Sequence, residues 1–197
     1  MEWSHKISTA PASEPVTTAE AKEHLRITHS EEDTYIDRLI TMAREWAEAF
    51  TNRGFINQTW VLKLAYFPSV ILLPRSPVSS ITSIAYVDTA GSSQTLASSV
   101  YASDTNQEPG TIREAYGQSW PAIRSQSSPL PVTVTYVAGY GTAASSVPAS
   151  IRQAILVLIG TSYEFREDLS DKPAIHVPEA AERLLWPYRT WWEQPWR

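Results

Sequence analysis

The chain contains no cysteine in 197 residues, which excludes disulfides, thiolate metal sites and a cysteine nucleophile, and fits folding in a reducing compartment. Long apolar runs are also missing. The longest, AILVLIG from Ala154 to Gly160, falls far short of the about 20 residues a membrane helix needs. The opening MEWSHKISTAPASEPV has one lysine and no apolar stretch after it, so it does not read as a secretory signal. Nor is there a basic cluster: 16 Lys and Arg lie scattered against 21 Asp and Glu, for a net charge of -5. Tight nucleic-acid binding relies on a basic footprint that displaces counterions, and none is present. These absences predict a soluble product of the cytoplasm that does not grip DNA or RNA.

At 43% hydrophobic residues, the chain can close a core of its own. Residues 1–13 are expected to form a mobile arm. EPVTTAEAKEHLRI reads as a short helix, with Thr17 and Glu20 at capping-box spacing and Val16 in the staple position. THSEEDTYIDRLITMAREWAEAFTNRGF gives the clearest helical signal. Ser30 is its expected cap, Glu31, Glu32 and Asp33 sit in the first turn where the helix dipole favours anions, and Gly54 is its expected stop. Ile36, Leu39, Ile40, Ala43, Ala47 and Phe50 step by three and four, a single buried stripe.

From Asn57 the period changes to two. TWVLKLAY, VILLP, SITSIAYVD and PVTVTYVAGYG read as strands of a small antiparallel sheet, with a hairpin at Ala90 and Gly91. Residues 103–131 read as a long turn-rich loop holding one short strand near Thr111 and Ile112. The helical period returns in VPASIRQAILVLIGTSYEFRE, with Pro148 in the first turn. Ile151, Ala154, Ile155, Leu158 and Phe165 form its stripe, and Leu156 and Ile159 widen the apolar arc towards a second neighbour. After a loop at LSDKPAIH, VPEAAERLL is a last short helix that ends near Pro187.

Catalytic constellations are thin. His24 and His29 could share a metal only if a turn brought them together, and no third ligand has suitable spacing, so solvated histidines are preferred. Gly139 and Gly141 lie between a strand and a helix but lack the lysine and Ser/Thr of a phosphate loop, which favours a simple turn. Dipole compensation accounts for the Glu31 to Asp33 run better than a cation site does. Without a placed acid, base or nucleophile, no enzyme is expected and no cofactor or catalytic residue is assigned.

The composition is least ordinary at LLWPYRTWWEQPWR, Leu184 to Arg197, which holds four of the eight tryptophans. Each aromatic side chain covers about 150 to 250 Å², so Tyr188, Trp191, Trp192 and Trp196 together could supply roughly 600 to 1,000 Å², one partner's share of a standard interface. Arg189 and Arg197 add cation–π and ion-pair capacity. An aromatic docking arm for another protein is expected here. The aromatics of the β-rich part, Trp60, Tyr66, Tyr86, Tyr101 and Trp120, give the rival reading of a carbohydrate- or receptor-binding module, with exposure as the discriminator, since strand aromatics are mostly core.

The succession EPVTTAEAKEHLRI, EEDTYIDRLITMAREWAEAFTNRGFINQTWVL, LPRSPVSSITSIAYVD, YVAGYG, VPASIRQAILVLIGTSYEFRE and LLWPYR resembles the head-tail connector, or adaptor, family of tailed bacteriophages and gene transfer agents. The resemblance runs from about Glu14 to Arg189. It implies an α+β fold: a helical bundle (14–56 and 146–187, two N-terminal and two C-terminal helices) carrying an antiparallel β-rich insertion (57–145); the aromatic arm at 188–197, read from its composition above, extends beyond the matching part. It also implies a structural virion protein of the neck, assembled in the host cytoplasm as a ring, usually a dodecamer, beneath the portal. Such a ring extends the DNA channel without sequence-specific binding and meets the stopper and tail. Portal docking would fall to Leu184, Leu185, Trp186, Tyr188, Arg189, Trp191, Trp192, Trp196 and Arg197, and subunit contact to Leu156 and Ile159.

Overall fold

A computed structural model describes residues 3–124, 130–165 and 178–191. Among these residues are four helices, α1 (Thr18–Leu25), α2 (Asp33–Thr51), α3 (Ala149–Glu164) and α4 (Glu179–Leu185), and eight strands: β1 (Trp3–Thr9), which precedes α1, and, between α2 and α3, β2 (Gln58–Leu64), β3 (Val70–Leu73), β4 (Val78–Val87), β5 (Ser93–Thr95), β6 (Tyr101–Asp104), β7 (Gly110–Glu114) and β8 (Val132–Ala138). The fold is therefore mixed α+β, with a five-stranded sheet in the order β1-β2-β8-β4-β5 and a three-stranded sheet in the order β3-β7-β6, all pairings antiparallel.

The helices share one core. Ile36, Ile40, Ala43 and Ala47 of α2 meet Ile151, Ala154, Ile155 and Ile159 of α3, and Ala181 and Leu185 of α4 close the cluster. The capping box of α1 forms as its spacing predicts: Glu20 N–H donates to Thr17 Oγ1 at 3.2 Å and Thr17 N–H to Glu20 Oε2 at 2.8 Å. Arg152 of α3 then pairs with Glu20, tying the cap to the core helices.

A second core lies between the sheets. The alternating burial of β2 and β8 brings Trp60 opposite Tyr136 and Leu62 opposite Val134 on one face, where Ile71, Leu73 and Ile112 of the smaller sheet pack against them. The two cores join where the chain leaves α2 and where it returns towards α3. Gly139 N–H donates to Pro77, Tyr140 N–H to Phe55 and Asn57 N–H to Gly141, at 2.8 to 3.0 Å. A Cβ on Gly139 would lie 2.5 Å from Asn57 N, and its φ is +151°. The glycine pair thus lets two backbones pass closely; it is the turn its sequence context predicts.

Several expectations are corrected. The arm expected to be mobile at residues 1–13 contains a strand: β1 covers the open edge of β2, with Trp3, His5 and Ile7 opposite Leu64, Leu62 and Trp60. Unpaired edge groups on β2 favour this added ladder. Helix α2 starts at Asp33 with no side-chain cap, and Ser30 contributes only its carbonyl, to Asp33 N–H at 3.2 Å. It ends at Asn52, whose φ of 57° takes the left-handed position expected to need glycine. The acids of the first turn have partners beyond the dipole: Asp33 pairs with Lys22 at 2.7 Å and Glu32 accepts from Tyr163. Pro148 is the cap of α3, outside its first turn, and Phe165 is exposed instead of core. The loop expected at 103–131 contributes β7, as placed near Thr111 and Ile112, while β6 pairs beside it.

Candidate docking surface

Three residues of α2, Met42, Trp46 and Phe50, recur every four positions and form a ridge beside its buried stripe. Trp46 and Phe50 stack with ring centres 5.2 Å apart. Helix α4 runs directly into a 3₁₀ turn, Trp186–Tyr188, that brings Trp186 to 6.5 Å from Phe50, and Trp191 meets Trp186 edge-on at 5.8 Å. The Arg189 guanidinium sits among these rings, 4.1 Å from the centre of Trp191, 5.0 Å from Phe50 and 5.7 Å from Trp186. Trp186 is 55% exposed, Trp191 67% and Met42 43%. A cavity of about 170 Å³ lined by Met42, Ala43, Trp46, Leu158, Thr161, Ser162 and Pro178 continues the platform.

The segment after α4 is fixed at its root. Thr190 N–H donates to the Thr51 carbonyl at 2.9 Å, and Asn52 Nδ2 donates to the Thr190 carbonyl at 3.2 Å. Buried Arg53 donates through Nε to the Tyr188 carbonyl and grips Glu108 of the β6–β7 connection with both terminal nitrogens. Burial works against this guanidinium's charge, but Glu108 holds its pKa above the ordinary value. Arg53 also faces the Tyr140 ring, whose phenol burial pushes up and keeps neutral. The aromatic platform is thus anchored to the end of α2 and, through Arg53, to the small sheet.

The predicted docking residues separate into groups. Trp186 and Trp191 are exposed, Arg189 is half-buried against the same rings, and Leu184 and Tyr188 are half-buried against the helical core. Leu185 is fully buried in that core and has no surface to offer a partner. Trp192, Trp196 and Arg197 lie outside the described residues. Of the two subunit-contact residues, Leu156 is half-buried, whereas Ile159 is fully buried by its own subunit. Sequence reasoning missed Met42 and Trp46, although their i, i+4 spacing to Phe50 was visible, and it missed Arg53.

Other sites give less. His29 pairs with Glu31 at 2.8 Å and His24 lies against Gly160, so the two do not converge; among the described residues no cluster of three or more His, Asp or Glu could hold a metal. Aromatics weighed for sugar stacking point mostly inward: Trp60 is buried, and Trp120 stacks on Phe67 at 4.8 Å while its Nε1–H donates to Pro68. Tyr66 alone of that set is exposed.

Residues 16–115 match the family described as phage gp6-like head-tail connector protein. The chain belongs to the head-tail connector family. The connector is a structural virion protein, and its place is the junction of head and tail. It is similar in fold to a chain of the neck of an empty gene transfer agent particle computed with C6 symmetry, at 24% identity and a TM-score of 0.81, covering 98% of this chain and 99% of that one. A chain from the virion of a native gene transfer agent particle is 25% identical, with a TM-score of 0.78 and 97% of each chain covered. A third, from the neck of a native particle computed with C12 symmetry, is 23% identical with a TM-score of 0.75 over 98% and 99%. No curated protein matches the connector's sequence.

Proposed function

We propose that the connector assembles as a closed ring of twelve subunits beneath the portal, extending the DNA channel and joining the capsid vertex to the stopper and tail. It acts there as a structural part, without enzymatic activity. In this reading the four helices are the bundle that forms the ring body, and the β-rich segment is an insertion between the second and third helices. The platform of Trp186, Arg189 and Trp191 is the portal-facing surface. The observation that carries the proposal is this exposed aromatic face, held on a buried hydrogen-bonded root in a member of the connector family. The necks computed with C6 and C12 symmetry support a ring.

The charge balance supports a sliding channel: an acidic chain without a basic stripe repels phosphates and lets DNA pass. A ring needs two different faces per subunit. Leu156 of α3 serves as one subunit contact in this proposal, and Ile159 supports it from within the core. Electron microscopy of purified connector mixed with its portal tests the proposal. Symmetric density stacked on one end of the portal is expected; portals that remain bare at saturating connector would overturn it.

A further inference from the structure

Among the described residues, three of the five buried or half-buried arginines hold a carboxylate, and Arg75, which lies over the Trp60 ring, donates to the Glu48 main-chain carbonyl instead. Arg44 holds Glu14 and Glu48, Arg53 holds Glu108, and Arg152 holds Glu20. Arg189 differs. Three rings surround its guanidinium, and among the described residues it has no carboxylate partner, while its Nε is buried with no hydrogen-bond partner. Ring faces satisfy the π surface of a guanidinium but leave its in-plane N–H donors unused. A planar fork of donors beside low-dielectric ring surface matches an anion that takes two bonds at once, a carboxylate or a phosphate.

From this we infer that the platform is a receptor for an acidic segment of the partner protein, one carboxylate seated on Arg189 and an adjacent apolar side chain entering the cavity between α2 and α3. Trp46 joins the two subsites, lining the cavity and stacking on Phe50, which in turn faces Arg189. The cavity walls are mostly apolar, with Met42, Ala43, Leu158 and Pro178 against the hydroxyls of Thr161 and Ser162. A nucleic-acid phosphate is the less suitable anion. Glu45 lies exposed next to Trp46 on the helix that carries the ridge, and a polyanion would meet it and the net charge of -5. The inference rests on the docking reading above and specifies the chemistry of its partner.

The test measures affinity of the full-length connector for the portal of the same particle, with Arg189→Met, Arg189→Lys and Trp191→Ala, each checked for a native melting transition. Both Arg189→Met and Trp191→Ala are expected to weaken binding by about tenfold or more, and Arg189→Lys to recover part of the loss because it keeps charge without the fork. Raising salt from about 50 to about 500 mM should weaken the wild type and leave Arg189→Met nearly unchanged. If Trp191→Ala binds weakly but Arg189→Met matches wild type, the platform docks a partner and the carboxylate assignment is wrong. If both variants match wild type, the docking reading itself falls. If Arg189→Met loses binding to a DNA duplex and keeps the portal, the cation serves phosphate and the inference is overturned.

Discussion

Replacing His5 tests how β1 is held and gives a pH dependence that can be calculated. The His5 ring stacks on Trp60 with centres 4.5 Å apart, and its Nε2 lies 2.9 Å from the Tyr136 hydroxyl. That hydroxyl already accepts from Arg75 N–H at 3.2 Å. Both groups are satisfied when Tyr136 donates its proton to an unprotonated Nε2. Protonating the imidazole removes that acceptor and sets a cation against the Arg75 guanidinium. Burial first, and Arg75 second, lower its pKa from 6.5 to about 3. With the folded value below the unfolded one, the stabilisation is complete above pH 6.5 and is lost as pH falls from there towards 3. Two-state linkage gives a loss of up to about 2 kcal/mol between about pH 7.5 and about pH 5, an upper figure because the ring is only partly shielded from solvent. For a chain of this size that is about 4 to 8 °C in Tm. Thermal melts of wild type and His5→Gln across this range measure it, since most carboxylates stay ionised and His24 and His29 are common to both proteins. The wild type should lose stability more steeply than His5→Gln; equal slopes would refute the reasoning.

Glu48 is 6% exposed and accepts from Phe55 N–H at 2.8 Å, Gln58 Nε2 at 2.7 Å and Arg44 Nη1 at 2.9 Å. Glu48→Gln should therefore cost about 1 to 3 kcal/mol in urea denaturation, because the amide leaves buried donors around it without an acceptor while Glu14 still pairs with Arg44. Gly139→Ala forces a Cβ against Ile56 and Asn57 backbone atoms at 2.5 to 2.7 Å, and should lower Tm by more than the same change at Gly117, which has open space around it. Leu156→Asp should give a folded monomer that fails to form rings on size-exclusion chromatography with light scattering; an intact ring would remove Leu156 from the subunit contact.

The helices were legible because amphipathic repetition over many residues leaves few alternatives: the α2 stripe from Ile36 to Ala47 is buried as the period predicts. Strand β1 was not, because Trp3, His5 and Ile7 alternate with Ser4 and Lys6 in a segment whose only ladder is to β2. Such a strand is decided by an edge elsewhere in the chain. Buried charges were illegible for a similar reason. Arg44 and Glu48 have the i, i+4 spacing of an ordinary surface pair, and only the packing of Phe55 and Gln58 against them shows otherwise. For the proposed docking surface, composition pointed to Trp186, Arg189 and Trp191. It did not reveal that Phe50, placed in the core stripe, is half-buried and forms one wall of the platform.

Co-sedimentation with the portal shows whether the exposed C-terminal aromatics join the connector to it, as proposed. The comparison is between the full chain and one ending at Thr190, which keeps the Thr51 and Arg53 contacts of the root. The shortened chain is expected to melt as the full one does but no longer to sediment with the portal. Equal sedimentation of the two chains would contradict the proposal.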